Sequence, residues 1–502
     1  MNVTFWPRYK QVTMEENSSL MQVMMEHHIG IDFVCGGNGT CGKCKVLISK
    51  GNQMPYTNIE LQCLSKEERE AGYRLACEFE ITEDTCVILE EHKTQKTEQK
   101  IVTELLDGTI DIAFDIGTTT IEAAFLWNKE TIVTKMTCVN PQRVHGLDVM
   151  SRLSYAVKSA KQAVVLQALV LDGLNGMITE FCNIYSVKEL QINRIIVMGN
   201  TTMIYLLLNY PIASLTKPPF QIKFSSFVGK AKEYGFCVNE ACQLFVPPLI
   251  QGYVGSDTLG CILATGIESK QGIYGIMDVG TNGELVISCN GDISVCSTAA
   301  GPAFEGASIV QGMRAQEGAI YQVSKKEKKK WDIHVIGDVQ AKGICGSGLL
   351  DAICIFRELG WIDETGLMKE RKIALDRDRK VSLWQEDVRQ FQLAKAAIQA
   401  GFSLLAETKK ITFDQLDKIY ITGAFGSGLN VEHAMECGLF PKIGADKFEY
   451  MDNGSLIGGI QILQDVELME QAEELALSIQ HIELANMENF RDRFLEDMNL
   501  IN

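Results

Sequence analysis

Positive charge is what this 502-residue chain lacks: 47 Lys and Arg stand against 64 Asp and Glu, a formal net charge of −17. A nucleic-acid backbone or an anionic membrane needs a basic partner face, so neither is expected as the main partner. The one dense basic run, K-K-E-K-K-K at 325–330, reads as a solvated hairpin tip. Also missing are a basic N-terminal region leading into an apolar core, and any apolar run that reads as a membrane span. A cytoplasmic protein is therefore expected. Nor is disorder indicated, because 46% of the residues are apolar and 22% charged, an ordinary globular composition long enough for two or more cores.

Cysteine, by contrast, is abundant, at 16 residues. Most, such as Cys138, Cys182, Cys261, Cys289, Cys296 and Cys354, lie in apolar segments and read as buried free thiols, a usage that would suit an anaerobe. Residues 35–44 are different: C-G-G-N-G-T-C-G-K-C places Cys35, Cys41 and Cys44 at C-x5-C-x2-C among Gly36, Gly37, Gly39 and Gly42, and G-Y-R-L-A-C brings Cys77. Thiolates on a loop whose glycines bare backbone N–H groups suit an iron–sulfur cluster, whose sulfides accept those hydrogen bonds. The plant-type [2Fe–2S] spacing has four residues between its first two cysteines, where this chain has five. A four-cysteine zinc site is the alternative, although zinc ribbons pair two C-x2-C knuckles and do not need the glycines. Cys63 competes for the fourth position. Cys77 is preferred because a strand-like segment, 78–81, follows it, as on the rim of a β-grasp fold, whereas Cys63 precedes a charged helix at 65–70.

Short strands at 3–5 and 10–14 and a helix capped by Ser18 or Ser19 complete this first unit, and a polar stretch at 90–100, without apolar periodicity, reads as a linker. The expected organisation is a cluster domain at 1–90, a linker at 91–108, two halves of a larger unit at 109–271 and 272–464, and a helical tail at 465–502.

The halves are read from a repeat. Residues 110–120, I-D-I-A-F-D-I-G-T-T-T, form an apolar strand breaking at Asp115, Gly117 and Thr118, and 275–284, G-I-M-D-V-G-T-N-G-E, repeats it at Asp278, Gly280 and Thr281. Glycine removes the Cβ that would keep a phosphate from the backbone N–H groups. The two Asp lie 163 residues apart, far beyond solenoid periods of about 20–50, so the repeat marks a duplicated domain half. Each half also closes on a strand, a Gly turn and a helix, at 195–208 and 419–430. Glycine-rich boundaries at 252–257, 299–306 and 343–351 could close over a nucleotide.

Two halves with D-x-G-T loops and Gly-rich strand-to-helix turns resemble the actin, Hsp70 and sugar-kinase (ASKHA) superfamily, in which ATP lies between two RNase H-like halves. The resemblance implies an α+β and α/β architecture, a β-grasp ferredoxin-like domain followed by the duplicated ATPase. It makes Asp115, Gly117, Thr118, Thr119 and Thr120 the first phosphate loop and Asp278, Gly280, Thr281, Asn282 and Gly283 the second, the two Asp reaching Mg2+, usually through water. Gly423, Ala424, Phe425 and Gly426 would border the adenosine, with Gly199, Asn200, Thr201, Gly346 and Ser347 as further nucleotide contacts.

With the cysteine motifs added, the set is similar to the reductive activators of corrinoid proteins. That family implies a [2Fe–2S] cluster on Cys35, Cys41, Cys44 and Cys77, and ATP-dependent reduction of cob(II)alamin to cob(I)alamin in anaerobic methyl-transfer systems. The partners it implies are a corrinoid protein and an external low-potential electron donor. Some members carry an extra domain for which this chain has no room, so a homodimer stays open. Three rivals remain. A ferredoxin-fused kinase would need an Asp base, for which Asp257 and Asp148 are available. An aspartic protease would have Thr or Ser where Ile116 and Val279 stand. A redox-sensing ATP-binding regulator would show no turnover.

Overall fold

The computed structural model describes residues 1–6, 10–13, 18–27, 29, 39, 42–51, 54–88, 108–218, 220–326, 330–423, 428–465 and 467–500. The expected linker at 91–108 lies outside these up to residue 107, as do the tip of the 325–330 hairpin and the Cys35 and Cys41 positions.

In the first unit the strands β1 (Asn2–Trp6), β2 (Lys10–Thr13), β3 (Lys45–Lys50), β4 (Tyr73–Leu75) and β5 (Thr85–Ile88) form one sheet in the order β2-β1-β5-β3-β4. The first and last strands lie parallel at its centre. Helix α1 (Leu20–Glu26) starts on a capping box between Ser19 and Gln22 and buries Leu20, Val23 and Met24 with Val3, Phe5, Leu75 and Phe79. A core this small is completed by a buried ion pair. Arg74 lies between the rings of Tyr56 and Phe79 and grips Glu60 through Nε and Nη2, each 2.8 Å from a carboxylate oxygen. Both side chains are buried, and Glu60 also accepts from the backbone N–H of Leu75.

The duplication is visible in the larger unit. Its first sheet, β8-β7-β6-β9-β11-β10, is built from β6 (Ile110–Ile116), β7 (Thr120–Trp127), β8 (Thr131–Val139), β9 (Ile192–Gly199), β10 (Phe227–Lys230) and β11 (Gln243–Val246). The second, β16-β15-β12-β13-β14-β17, uses β12 (Ile273–Val279), β13 (Gly283–Cys289), β14 (Asp292–Thr298), β15 (Lys418–Gly423), β16 (Phe448–Tyr450) and β17 (Gln480–His481). In each, an antiparallel meander of three strands continues through its first strand into two parallel ones. The central strands are buried on both faces, which is why they read as near-continuous apolar runs.

Helices cover the outer faces, α5 (Ala160–Tyr185) on the first sheet and α9 (Gln385–Lys409) on the second. Two more, α7 (Ser256–Thr265) and α11 (Gly454–Gln464), pack on each other between the sheets. They cross in backbone contact: a Cβ on Gly458 would stand 2.3 Å from the Gly260 carbonyl oxygen. The tail helix α12 (Glu467–Ser478) packs on α11 and α7, and β17 joins the second sheet beside β14.

Two sequence readings are corrected. Helix α5 is long and apolar enough, by length and composition, to cross a membrane, although the sequence reading found no such run. It is amphipathic: Leu166, Leu169, Val170, Leu174, Met177, Ile178 and Phe181 are buried, while Lys161, Asp172, Thr179 and Asn183 face outward. Nor are all the apolar-segment thiols buried, since Cys138, Cys182 and Cys289 are only half-buried. They sit where a strand or helix face leaves the core.

The Arg74–Glu60 pair sets a test of the first unit. Glu60→Ala leaves a buried guanidinium uncompensated and should cost about 3–5 kcal/mol in urea unfolding, whereas Glu60→Leu with Arg74→Met should recover most of that loss.

Candidate functional site

Asp115 and Asp278 stand at the same place in their sheets, one residue before the end of β6 and of β12. Each faces a glutamate on the neighbouring antiparallel strand, Asp115 opposite Glu122 and Asp278 opposite Glu284. Asp257, in the first turn of α7, is half-buried beside them. The bonds these carboxylates make are to neutral groups. Asp115 accepts from Asn453 Nδ2 at 2.8 Å and Ser455 Oγ at 2.7 Å, both at the start of α11, and Asp278 from Cys261 Sγ at 3.8 Å. The Cys261 thiol therefore borders the acid cluster, more than the plain core cysteine the sequence suggested.

Burial and mutual repulsion show in the titration of the group. Burial, then the neighbouring Asp115 charge, pushes Asp257 and Asp278 up to about 7. The same two causes carry Glu122 to about 7. Glu284 lies well above the usual carboxylate range, through burial and then Asp257 and Asp278. Carboxylates so placed are suited to a divalent cation, which would satisfy them with oxygen ligands or through its waters.

The turns beside them are shaped for anions. At Gly117 a Cβ would stand 2.6 Å from the Thr120 carbonyl oxygen, and at Gly423, φ +98°, it would stand 2.5 Å from Asp278 Oδ1, so both need glycine. The carbonyl ends of the first turn are held from behind. Asn140 Nδ2 donates to the Gly117 oxygen at 2.9 Å, Arg152 Nη2 to that of Thr118, and Arg314 Nη2 to that of Thr119 at 3.1 Å. The two turns meet where Thr119 Oγ1 and Thr281 Oγ1 lie 3.2 Å apart.

The other sequence-selected residues are placed variously. Asn200 donates to Thr118 Oγ1 at 3.3 Å, and the Gly199 N–H donates to Ser256 Oγ, so both border the first turn. Thr201 is buried and bonded to the Gln251 and Val254 carbonyls, a structural tie. Thr120 begins β7, Asn282 lies at the second turn with its carbonyl accepting from the Gly280 N–H, and Gly283 packs against Ile398. Gly346 lies under the Phe304 carbonyl, and Ser347 Oγ donates to the Tyr321 carbonyl at 2.8 Å. Ala424, Phe425 and Gly426 lie outside the described residues. Asp148, one of the two candidate kinase bases, caps the helix Val149–Ala156 through the Ser151 N–H.

In the first unit, Cys44 Sγ and Cys77 Sγ are 3.3 Å apart. A disulfide needs about 2.05 Å. Two thiolates on one tetrahedral metal with bonds of ~2.3 Å are separated by roughly 3.8 Å, so this pair fits shared metal ligation far better. Cys63 sits beside Gly42 and directs its thiol to the Gly39 carbonyl. Gly39 and Gly42 both have positive φ, a conformation glycine adopts without strain. Next to Cys44, Lys43 reaches across to the second half, its Nζ donating to the Gly306 and Ala307 carbonyls at 3.0 and 2.8 Å.

Sequence reasoning missed Asn453, Ser455, Arg152, Arg314, Glu122, Glu305 and the Lys43 contact. Glu284 lay within the quoted repeat and Glu305 within 299–306, but neither was singled out. The signal that could have been used is the glutamate following each D-x-G-T turn, in T-I-E and N-G-E.

Family descriptions match along the chain: the 2Fe-2S iron-sulfur cluster binding domain at 7–82, the RACo middle region at 110–270, and the C-terminal domain of RACo, the ASKHA domain, at 273–502. The corrinoid activation enzyme RamQ of Eubacterium limosum is 31% identical over 414 residues, covering 76% of this chain and 69% of that protein. The [Co(II) methylated amine-specific corrinoid protein] reductase of Methanosarcina barkeri is 26% identical, covering 76% of each. Among solved structures, a reductive activator for corrinoid, iron-sulfur protein superposes with a TM-score of 0.73 at 26% identity, covering 99% of this chain and 98% of that one.

The acid cluster makes a testable demand. Asp278 takes up its proton at about 7 in the folded chain, against an ordinary 3.8. Folding therefore holds an extra proton between those values, and stability falls as pH rises through that window. At pH 8, Asp278→Asn should raise the Tm of the ligand-free protein by about 2 °C or more, the shift expected for roughly 1 kcal/mol of relieved repulsion. The gain should fade at pH 6, and the extra stabilisation from Mg2+ with ATP should shrink in the variant; differential scanning fluorimetry reads all three.

Proposed function

We propose a reaction for this chain, which belongs to the family of reductive activators of corrinoid proteins: ATP-dependent reduction of a partner's inactive cob(II)alamin to cob(I)alamin, with the electron delivered through a [2Fe–2S] cluster. The observation that carries it is the presence, in one chain, of a Cys44–Cys77 sulfur pair and a cleft with matched Asp115 and Asp278 turns. Cys35, Cys41, Cys44 and Cys77 would hold the cluster, which supplies one-electron transfer when bound. Asp115 and Asp278 would hold Mg2+ on the nucleotide, with Thr118, Thr119, Thr281 and the N–H groups of both turns receiving phosphate. The adenosine would lie toward Gly423 and Ser347.

For a one-electron step, each 59 mV by which the donor falls short costs about tenfold in equilibrium. Nucleotide can offset this only by binding one protein conformation better than another. The halves are built for that, because Asp115 belongs to the first sheet while Asn453 and Ser455, its partners, sit on α11 from the second. A nucleotide that recruits Asp115 to its metal competes with those bonds and alters how α11 is held. No side chain need form a covalent intermediate.

The setting that best fits is an anaerobic methyl-transfer system, with a corrinoid protein as partner and an external low-potential donor. The experiment mixes reduced protein, ATP, Mg2+ and a cob(II)alamin protein and follows the visible spectrum. Cob(I)alamin should appear only with ATP; equal formation without it, or none with any corrinoid protein tried, refutes the reading. Asp115→Ala should abolish the ATP-dependent signal while leaving the cluster's absorption bands unchanged, and Cys77→Ala should remove the bands.

A further inference from the structure

One carboxylate in the cleft stands where phosphate binding alone would exclude it. Glu305 lies in the segment A-A-G-P-A-F-E-G, and its Oε1 accepts from Thr281 Oγ1 at 2.7 Å. A Cβ built on Gly280 would stand 3.6 Å from the same oxygen, so the carboxylate lies against the second phosphate turn itself. Its other oxygen, Oε2, is buried and has no hydrogen-bond partner within the described residues. Because Thr281 Oγ1 is also 3.2 Å from Thr119 Oγ1, Glu305 marks the seam at which both turns face each other.

A carboxylate beside two phosphate-receiving turns repels the anion they are built for. It becomes favourable there with a cation or a proton donor between it and the phosphate, and Asp115 and Asp278 are already placed for the cation, which leaves Glu305 for the donor. Asp115 and Asp278 lie at the strand ends, bonded to groups behind the turns, and Asp257 accepts from the N–H of Thr258 in its own helix. Glu305 alone among these reaches the seam by way of a turn hydroxyl.

We propose that Glu305 is a catalytic residue of ATP hydrolysis, holding the attacking water at the seam of the two turns and accepting its proton. This rests on the reading of the cleft as an ATPase. The water oxygen forms a bond to the terminal phosphorus, the bond from that phosphorus to the bridging oxygen breaks, and ADP departs with the electron pair. The water's proton passes to Glu305 Oε2 and from there to solvent. The Gly306 and Ala307 carbonyls that follow Glu305 hold Lys43, beside the Cys44 ligand, so the hydrolytic residue is adjacent in sequence to the seat of the cluster-bearing unit.

The test is Glu305→Gln in the full-length, cluster-loaded protein, since glutamine keeps an acceptor for Thr281 but cannot take the water's proton. Phosphate release should fall by about a hundredfold or more in kcat, the range of a lost general base. The Kd for a non-hydrolysable ATP analogue, measured by calorimetry, should stay within roughly threefold, which separates loss of chemistry from loss of binding. A variant that keeps more than about a third of wild-type kcat, or whose Kd rises in step with the loss, overturns the assignment. Wild-type protein that neither binds the analogue nor hydrolyses ATP overturns the ATPase reading and the assignment with it. Normal wild-type turnover with an active variant removes the assignment alone.

Discussion

Five carboxylates gathered at one cleft, Asp115, Glu122, Asp257, Asp278 and Glu284, the last buried and the others half-buried, are the constraint on which the larger unit turns. In a medium of low dielectric they cannot all be ionised unless a cation joins them. Folding tolerates the cluster because the surrounding core is extensive and continuous. Ala113, Met198, Leu259, Ile276, Val286, Leu456 and Ile460 pack between the sheets just below it. A divalent cation among them would relieve that repulsion, and would favour whichever arrangement of the two halves holds it better.

How that relief reaches the rest of the molecule follows from the crossing of α7 and α11. The chain segment of α11 comes after five of the second sheet's six strands, yet the helix packs against β6 and β9 of the first. Its N-terminal Asn453 caps the helix through the Leu456 N–H and grips Asp115 with the other end of the same amide. Close approach at Gly260 and Gly458 leaves no side-chain cushion between the two helices, so one cannot shift without the other following. A change at Asp115 is therefore a change in the relation of both sheets.

The sequence disclosed the parts of this with local signatures. Strands buried on both faces read as apolar runs, Gly117 and Gly280 marked the turns, and Ser19 marked the start of α1. Glycine and the cysteine spacing likewise pointed to Cys44 and Cys77, whose sulfurs do approach one another. What escaped reading was everything made by tertiary crossing. Asn453 lies 338 positions from Asp115, and no periodicity ties an amide at a helix start to a carboxylate at a strand end. Arg314 similarly reaches the Thr119 carbonyl from 195 positions away. Nor does the membrane-spanning length of α5, which the sequence reading did not find, tell how the helix is used. Hydropathy summed along a helix does not see that its apolar residues are gathered on one face, and only the sheet beneath shows why.

Lys43 gives the fusion of the two units a physical meaning. Lys43, between Cys41 and Cys44 in sequence, donates to two backbone carbonyls of the second half and also lies within reach of the Asp387 charge. The carbonyls belong to a segment tied twice to the second phosphate turn, by the Gly301 N–H to the Thr281 oxygen at 2.8 Å and by Glu305 to the Thr281 hydroxyl. A displacement of Thr281 must therefore strain or release the segment that seats Lys43. The cysteine-bearing unit and the Thr281 turn are in this sense joined through one segment, although more than two hundred residues of sequence separate them.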